Sequence, residues 1–165
     1  ADAIRWAWEN GYFSGVSAVQ FAPEQGLSRA MLVTVLWRMA GEPNAGVSTF
    51  ADVLPGGWYE KAVAWANTRG LVSGTGAGSF SPDAPITREQ LIAILWRYAG
   101  SPQPAGSLSA FADGAQTSAY AQTAMAWAVE TGLIGGSNGR LLPASGATRA
   151  QTALILQRFA AWMGM

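Results

Sequence analysis

The chain is 165 residues long, half hydrophobic and 12% charged, with ten basic and ten acidic side chains and neither histidine nor cysteine. Without those two residue types it cannot assemble a Ser-His-Asp triad, a Cys-His dyad or a zinc site of the usual nitrogen and sulfur ligands. Nine of the ten cations are arginine and the formal net charge is zero, so a dense polyanion such as nucleic acid finds neither a lysine-rich patch nor long-range attraction.

No stretch reaches the roughly 18 apolar residues of a spanning helix, so no membrane insertion is expected. The opening ADAIRWAWENGY has no secretion-signal pattern, and the missing initiator Met suggests a processed or excised chain.

Taken along the chain, the elements repeat. Ala3–Gly41 aligns without a gap on Ala62–Gly100 at an offset of 59, with sixteen of 39 positions identical. Among these are Trp6/Trp65, Gly11/Gly70, Gly15/Gly74, Phe21/Phe80, Arg29/Arg88 and Arg38/Arg97. A third copy carries Trp127, Gly132, Gly136, Leu141, Pro143, Arg149 and Arg158 in the equivalent places. Each copy reads as a short first helix (Trp58–Arg69 in the second), a glycine-rich loop, and a second helix: Arg29–Met39, Arg88–Tyr98 and Arg149–Phe159. The connectors GEPNAGVST and GSPQPAGSLSA separate copies spanning 1–41, 50–100 and 111–160. The first copy lacks the Phe-Ala-Asp opening seen at Phe50–Asp52 and Phe111–Asp113 and so reads as trimmed. A helix–loop–helix of about 50 residues cannot bury its apolar face alone. The expected fold is therefore mainly α, a pseudo-threefold helical bundle of three repeats acting as one monomeric, pseudo-trimeric domain.

The second helices open with Ser28-Arg29-Ala30-Met31, Thr87-Arg88-Glu89-Gln90 and Thr148-Arg149-Ala150-Gln151. Capping boxes are predicted for Thr87/Gln90 and Thr148/Gln151, and a simple cap for Ser28. The arginine that follows stands against the positive end of the helix dipole, at a cost of roughly 0.3–1 kcal/mol. Two explanations compete for Arg29, Arg88 and Arg149: anion binding beside free helix-start amides, or a structural pair with a carboxylate such as Asp52 or Asp113. Arg38, Arg97 and Arg158, near the opposite helix ends, are favoured by the dipole and need no functional role.

Of the eight tryptophans, Trp6, Trp37, Trp65, Trp96 and Trp127 fall on helical apolar stripes and are expected in the core. Trp58 and its counterpart Tyr120, at first-helix starts, are candidates for ligand contact. The run Gly74-Thr75-Gly76-Ala77-Gly78 is no nucleotide loop, because neither Lys-Ser/Thr nor a βαβ context follows. It reads as a tight turn, with Gly74 and Gly76 as places where backbone approaches a ligand. Carboxylates at Glu24/Asp83 and Asp52/Asp113 give no acid–base pair of the kind a glycosidase needs, and no enzyme activity is expected.

The string FADV…WY-x-x-AV-x-WA…GLVSGTG-x-G-x-FSPD-x-PITREQ resembles the S-layer homology repeat, most specifically in Phe50–Gly100, then Phe111–Phe159, and least in Ala3–Gly41. The resemblance implies a spindle of three repeats at the cell surface of a Gram-positive bacterium. It further implies binding of an anionic secondary cell wall polysaccharide, commonly pyruvate-ketalated, in grooves between repeats. It maps the family's ligand arginine onto Arg29, Arg88 and Arg149, and an aspartate onto Asp52 and Asp113. The motif's Glu is Met31, Gln90 and Gln151 here, and Ala144 replaces an acidic loop residue, so unequal grooves are expected. No cofactor is implied. The competing reading is a cell-surface interaction or assembly module whose arginines only brace repeat junctions.

Overall fold

The computed structural model describes residues 2–13 and 22–165; Gly15 and Phe21, two of the repeated positions, lie outside the described residues. Among the described residues the fold is mainly helical: α1 (Asp2–Glu9), α2 (Arg29–Met39), α3 (Glu60–Thr68), α4 (Arg88–Tyr98), α5 (Gln122–Glu130) and α6 (Arg149–Met163). Extended pairing among the described residues is limited to isolated bridges.

The second helices begin where the capping pattern places them. Thr87 and Thr148 accept from the amides of Gln90 and Gln151, whose side chains reach back to complete both boxes, and Ser28 accepts from Met31. Two boundaries differ from the sequence reading. The helix expected from Trp58 begins at Glu60, because the Glu60 carboxylate takes the Gly56 amide at 2.6 Å and holds the preceding residues in a turn. Trp58 therefore precedes the helix, as Tyr120 does in a 3₁₀ turn, Ala119–Ala121, ahead of α5. The helix expected to end at Phe159 continues to Met163. Its sisters stop at Gly41 and Gly100, both at positive φ, whereas Ala161 stands in that place and the left-handed glycine comes only at Gly164.

Packing pairs run between copies. α3 lies on α2, α5 on α4, and α1 on α6, so the first helix of each copy covers the second helix of the one before, and the last copy is closed by the first. Runs of five consecutive buried residues occur in α3 (Ala62–Ala66), α4 (Leu91–Leu95) and α5 (Ala124–Ala128). These helices are surrounded rather than one-sided, which small alanines on the first helices permit. Trp65 and Trp127 are buried, while Trp6, Trp37 and Trp96 are half-buried against the core. The Trp37 and Trp96 indoles donate to the carbonyls of Pro43 and Pro102, tying each connector back onto its helix.

The three helix starts are joined by backbone. Ile86 N–H donates to Leu27 O (2.8 Å), Leu27 to Ala147 O (3.0 Å) and Ala147 to Ile86 O (3.0 Å), a closed ring through residues just ahead of the N-caps. Two residues on, the copies are bonded in the opposite sense. Arg29 N–H donates to Ala84 O, Arg88 to Ser145 O and Arg149 to Gln25 O, each at 2.9 Å. Ala30, Glu89 and Ala150 then donate to the carbonyls of Pro82, Pro143 and Pro23.

Candidate functional site

Those bonds correct one premise of the sequence reading. The first two amides of each second helix donate to a neighbouring copy and the third to its Ser or Thr cap, so the helix starts do not offer free amides to an anion. They also explain why the adversely placed arginine is tolerated: carbonyl dipoles of the next loop sit where the dipole would otherwise meet water or a cation.

The guanidiniums reach across the same junctions. Arg29 Nε donates to Phe80 O (3.0 Å) and its Nη2 to Ser73 O (3.1 Å), with the guanidinium 4.7 Å from the Phe80 ring centroid. Arg88 Nε donates to Leu141 O at 2.9 Å. Arg149 is buried, with its guanidinium 5.4 Å from the Phe13 ring centroid. Burial lowers the pKa of all three from the ordinary arginine value, though a guanidinium stays charged at neutral pH.

Asp52 grips the same peptide from the other side. Its oxygens accept from Phe80 N–H and Ser81 N–H, both at 2.8 Å, while Arg29 holds the Phe80 carbonyl. Asp113 treats Leu141 and Leu142 alike. Arginine and aspartate thus bracket one loop peptide rather than bonding each other. The clamp holds Ser81 and Leu142 in the left-handed region, φ +59° and +54°.

Amide donation from Phe80 above all holds the Asp52 carboxyl below its ordinary pKa, burial opposing it, with Ser81 and the Arg29 charge assisting. Leu141 plays the same leading part for Asp113, helped by Leu142 and Arg140. A depressed carboxylate adds stability that is complete above its unfolded pKa and disappears as pH falls through its folded one. Thermal unfolding is therefore expected to be insensitive to these groups at pH 5–8 and to weaken below about pH 4. Asp52→Asn with Asp113→Asn should flatten that acid limb, and an acid limb between pH 5 and 2.5 as steep in the double variant as in the wild type would contradict the clamp.

One groove of about 380 Å³ lies between copies. Arg29 enters from the first copy; Val72 to Thr75 form one wall; Gln90, Ala93, Ile94 and Arg97, one face of α4, form another; Tyr120 closes it from the third copy. Of the residues singled out by sequence, the groove brings together Arg29, Gly74 and Tyr120. A Cβ on Gly74 would stand 2.7 Å from Ser79 O and 2.9 Å from the Phe50 ring, so glycine there permits both the turn and the wall. Gly76, at φ +122°, shapes the turn without lining the groove. Tyr120 is half exposed; burial and the Glu89 charge raise its pKa, opposed by Arg97 and Arg29. Asp52, Asp113, Arg88, Arg149 and Trp58, 61% exposed, lie elsewhere.

Sequence reasoning missed Gln90 and Arg97 as groove residues, having assigned them to a cap and to a helix dipole. Their i, i+3, i+4, i+7 spacing with Ala93 and Ile94 was the available signal.

The description S-layer homology domain matches residues 49–92 and 110–153. A surface-layer 125 kDa protein of Lysinibacillus sphaericus is 30% identical over 95% of this chain, and an endoglucanase of Bacillus sp. (strain KSM-635) is 30% identical over 93%. A cellulosome-anchoring protein of Acetivibrio thermocellus is 26% identical over 58%. The matches cover 14%, 17% and 22% of those proteins, so the chain spans under a quarter of each.

Proposed function

Because the chain belongs to the S-layer homology domain family, we propose that it attaches an exported protein to the bacterial cell wall by holding an anionic wall polysaccharide in its inter-copy groove. The observation that carries this is the groove at Arg29. It is open, large enough for one or two sugar rings, and bounded by a guanidinium, a half-exposed tyrosine and a glycine wall. A carboxylate such as a pyruvate ketal suits the guanidinium, and Tyr120 offers an apolar face to a ring. The chain itself is not an enzyme in this reading, and its place is the cell surface.

Residues 1–41 act as the first of three repeats, and the cyclic backbone bonds support a pseudo-threefold domain in one chain. Trp58 and Arg149 serve a second groove and Arg88 a third. The grooves are unequal: Leu154, 40% exposed, stands where Ala93 floors the first. Asp52 and Asp113 keep the loops in shape; Asp113 is buried, whereas the partly exposed Asp52 is the one able to meet a sugar hydroxyl. Weak sites on one polymer add avidity.

A second reading, an assembly module with purely structural arginines, draws on the arginine bonds to loop carbonyls. Purified protein is expected to co-sediment with wall sacculi and to lose binding to sacculi stripped of ketals by mild acid. Equal binding to both would overturn the acidic-sugar reading and favour the second one.

A further inference from the structure

We infer that Arg97 is a second anion contact in the groove, so that one carboxylate lies between two guanidiniums. This rests on the groove being the sugar site. Arg29 and Arg97 line the same cavity from different copies. Arg29 is heavily committed: Nε and Nη2 hold two loop carbonyls, its face covers Phe80, and Asp52 shares its peptide. Arg97 commits one nitrogen, Nη1, to Leu71 O at 3.1 Å, leaving Nε and Nη2 for a ligand.

The charged groups that face the groove are cationic. Among the described residues, no carboxylate lines the groove. Asp52 balances Arg29 from behind the loop, and buried Glu89, which lies close enough to raise the Tyr120 pKa, has both oxygens engaged by Ser118, from its amide (2.8 Å) and hydroxyl (2.6 Å). With both carboxylates held outside the lining, the groove wall itself presents two guanidiniums, which suits a bound anion. The planar guanidinium fork fits a carboxylate better than a neutral hydroxyl. Arg38 and Arg158 make the same bond, to Tyr12 O and Leu133 O, so the bond alone does not explain why Arg97 borders open space.

The test compares wild type, Arg29→Gln and Arg97→Gln by calorimetry. The probes are a methyl hexoside bearing a 4,6-pyruvate ketal, its methyl ester, and the corresponding hexoside phosphate. Arg97→Gln is expected to weaken binding of the ketal acid about tenfold or more, and of the ester by much less. Arg97→Lys should recover part of the loss, and circular dichroism should show both variants folded. Equal loss for acid and ester, or no loss while Arg29→Gln weakens the acid, overturns the role of Arg97 and leaves the groove standing. Tighter binding of the phosphate than of the ketal acid overturns the carboxylate assignment. Failure of wild type to bind both the probes and sacculi overturns the groove reading itself.

Discussion

Arg29→Ala is expected to weaken sedimentation with wall sacculi at least tenfold while leaving a folded protein. Two effects add. The groove loses a charge-assisted contact, worth about 1.5–3 kcal/mol when made to a carboxylate, and the wall loses the donor that holds Phe80 O and Ser73 O. The second effect alone would loosen residues 72–75 without removing the pocket's other guanidinium. Lysine distinguishes them. Arg29→Lys keeps the charge but cannot reproduce the fork that reaches two carbonyls and a ligand together, so it should fall between wild type and alanine in affinity. Desolvation has already been met in the folded protein, where Arg29 is half-buried, so the guanidinium needs little reorganisation on binding. Binding by Arg29→Ala equal to wild type, with the melting temperature lowered, would assign Arg29 to the fold alone.

What the sequence disclosed and what it hid divide along side chain and backbone. Thr87 and Gln90 announce their helix start because capping is a local code of side-chain type and spacing, and the structure has that box in place. The ring through Leu27, Ile86 and Ala147 is made of main-chain groups on apolar residues, which carry no compositional mark. Which helices pack was hidden for another reason. The copies are so alike that pairing within a copy and pairing with the next satisfy the same apolar pattern, and the structure selects the latter. At the groove, Arg29 was legible because its position is electrostatically adverse. Arg97 was not, because its position is favourable and raised no question; only the shared cavity brings it forward.

Cyclic closure has a mechanical consequence that a linear stack of repeats would lack, and Phe159→Ala exposes it. Phe159 is fully buried at the end of α6, edge-on to Tyr98 of the second copy at 5.7 Å between centroids, edge-on to Trp127 at 6.4 Å, and stacked with Trp162 at 6.3 Å. Truncating a buried phenylalanine to alanine costs about 3–5 kcal/mol, from lost transfer energy and the cavity left behind. In an open array that loss would fall on the third copy, and unfolding would separate into two stages. Here α1 lies on α6 and the helix starts are bonded in a ring, so the third copy cannot open without exposing faces of the other two. Urea unfolding of Phe159→Ala is therefore expected to remain a single transition with a lowered midpoint. Tryptophan fluorescence, which samples Trp127 and Trp162 beside the cavity, should coincide with far-ultraviolet circular dichroism, which samples every helix. Two separated transitions, with fluorescence changing first, would show that the copies are coupled only as neighbours and that the ring adds little to stability.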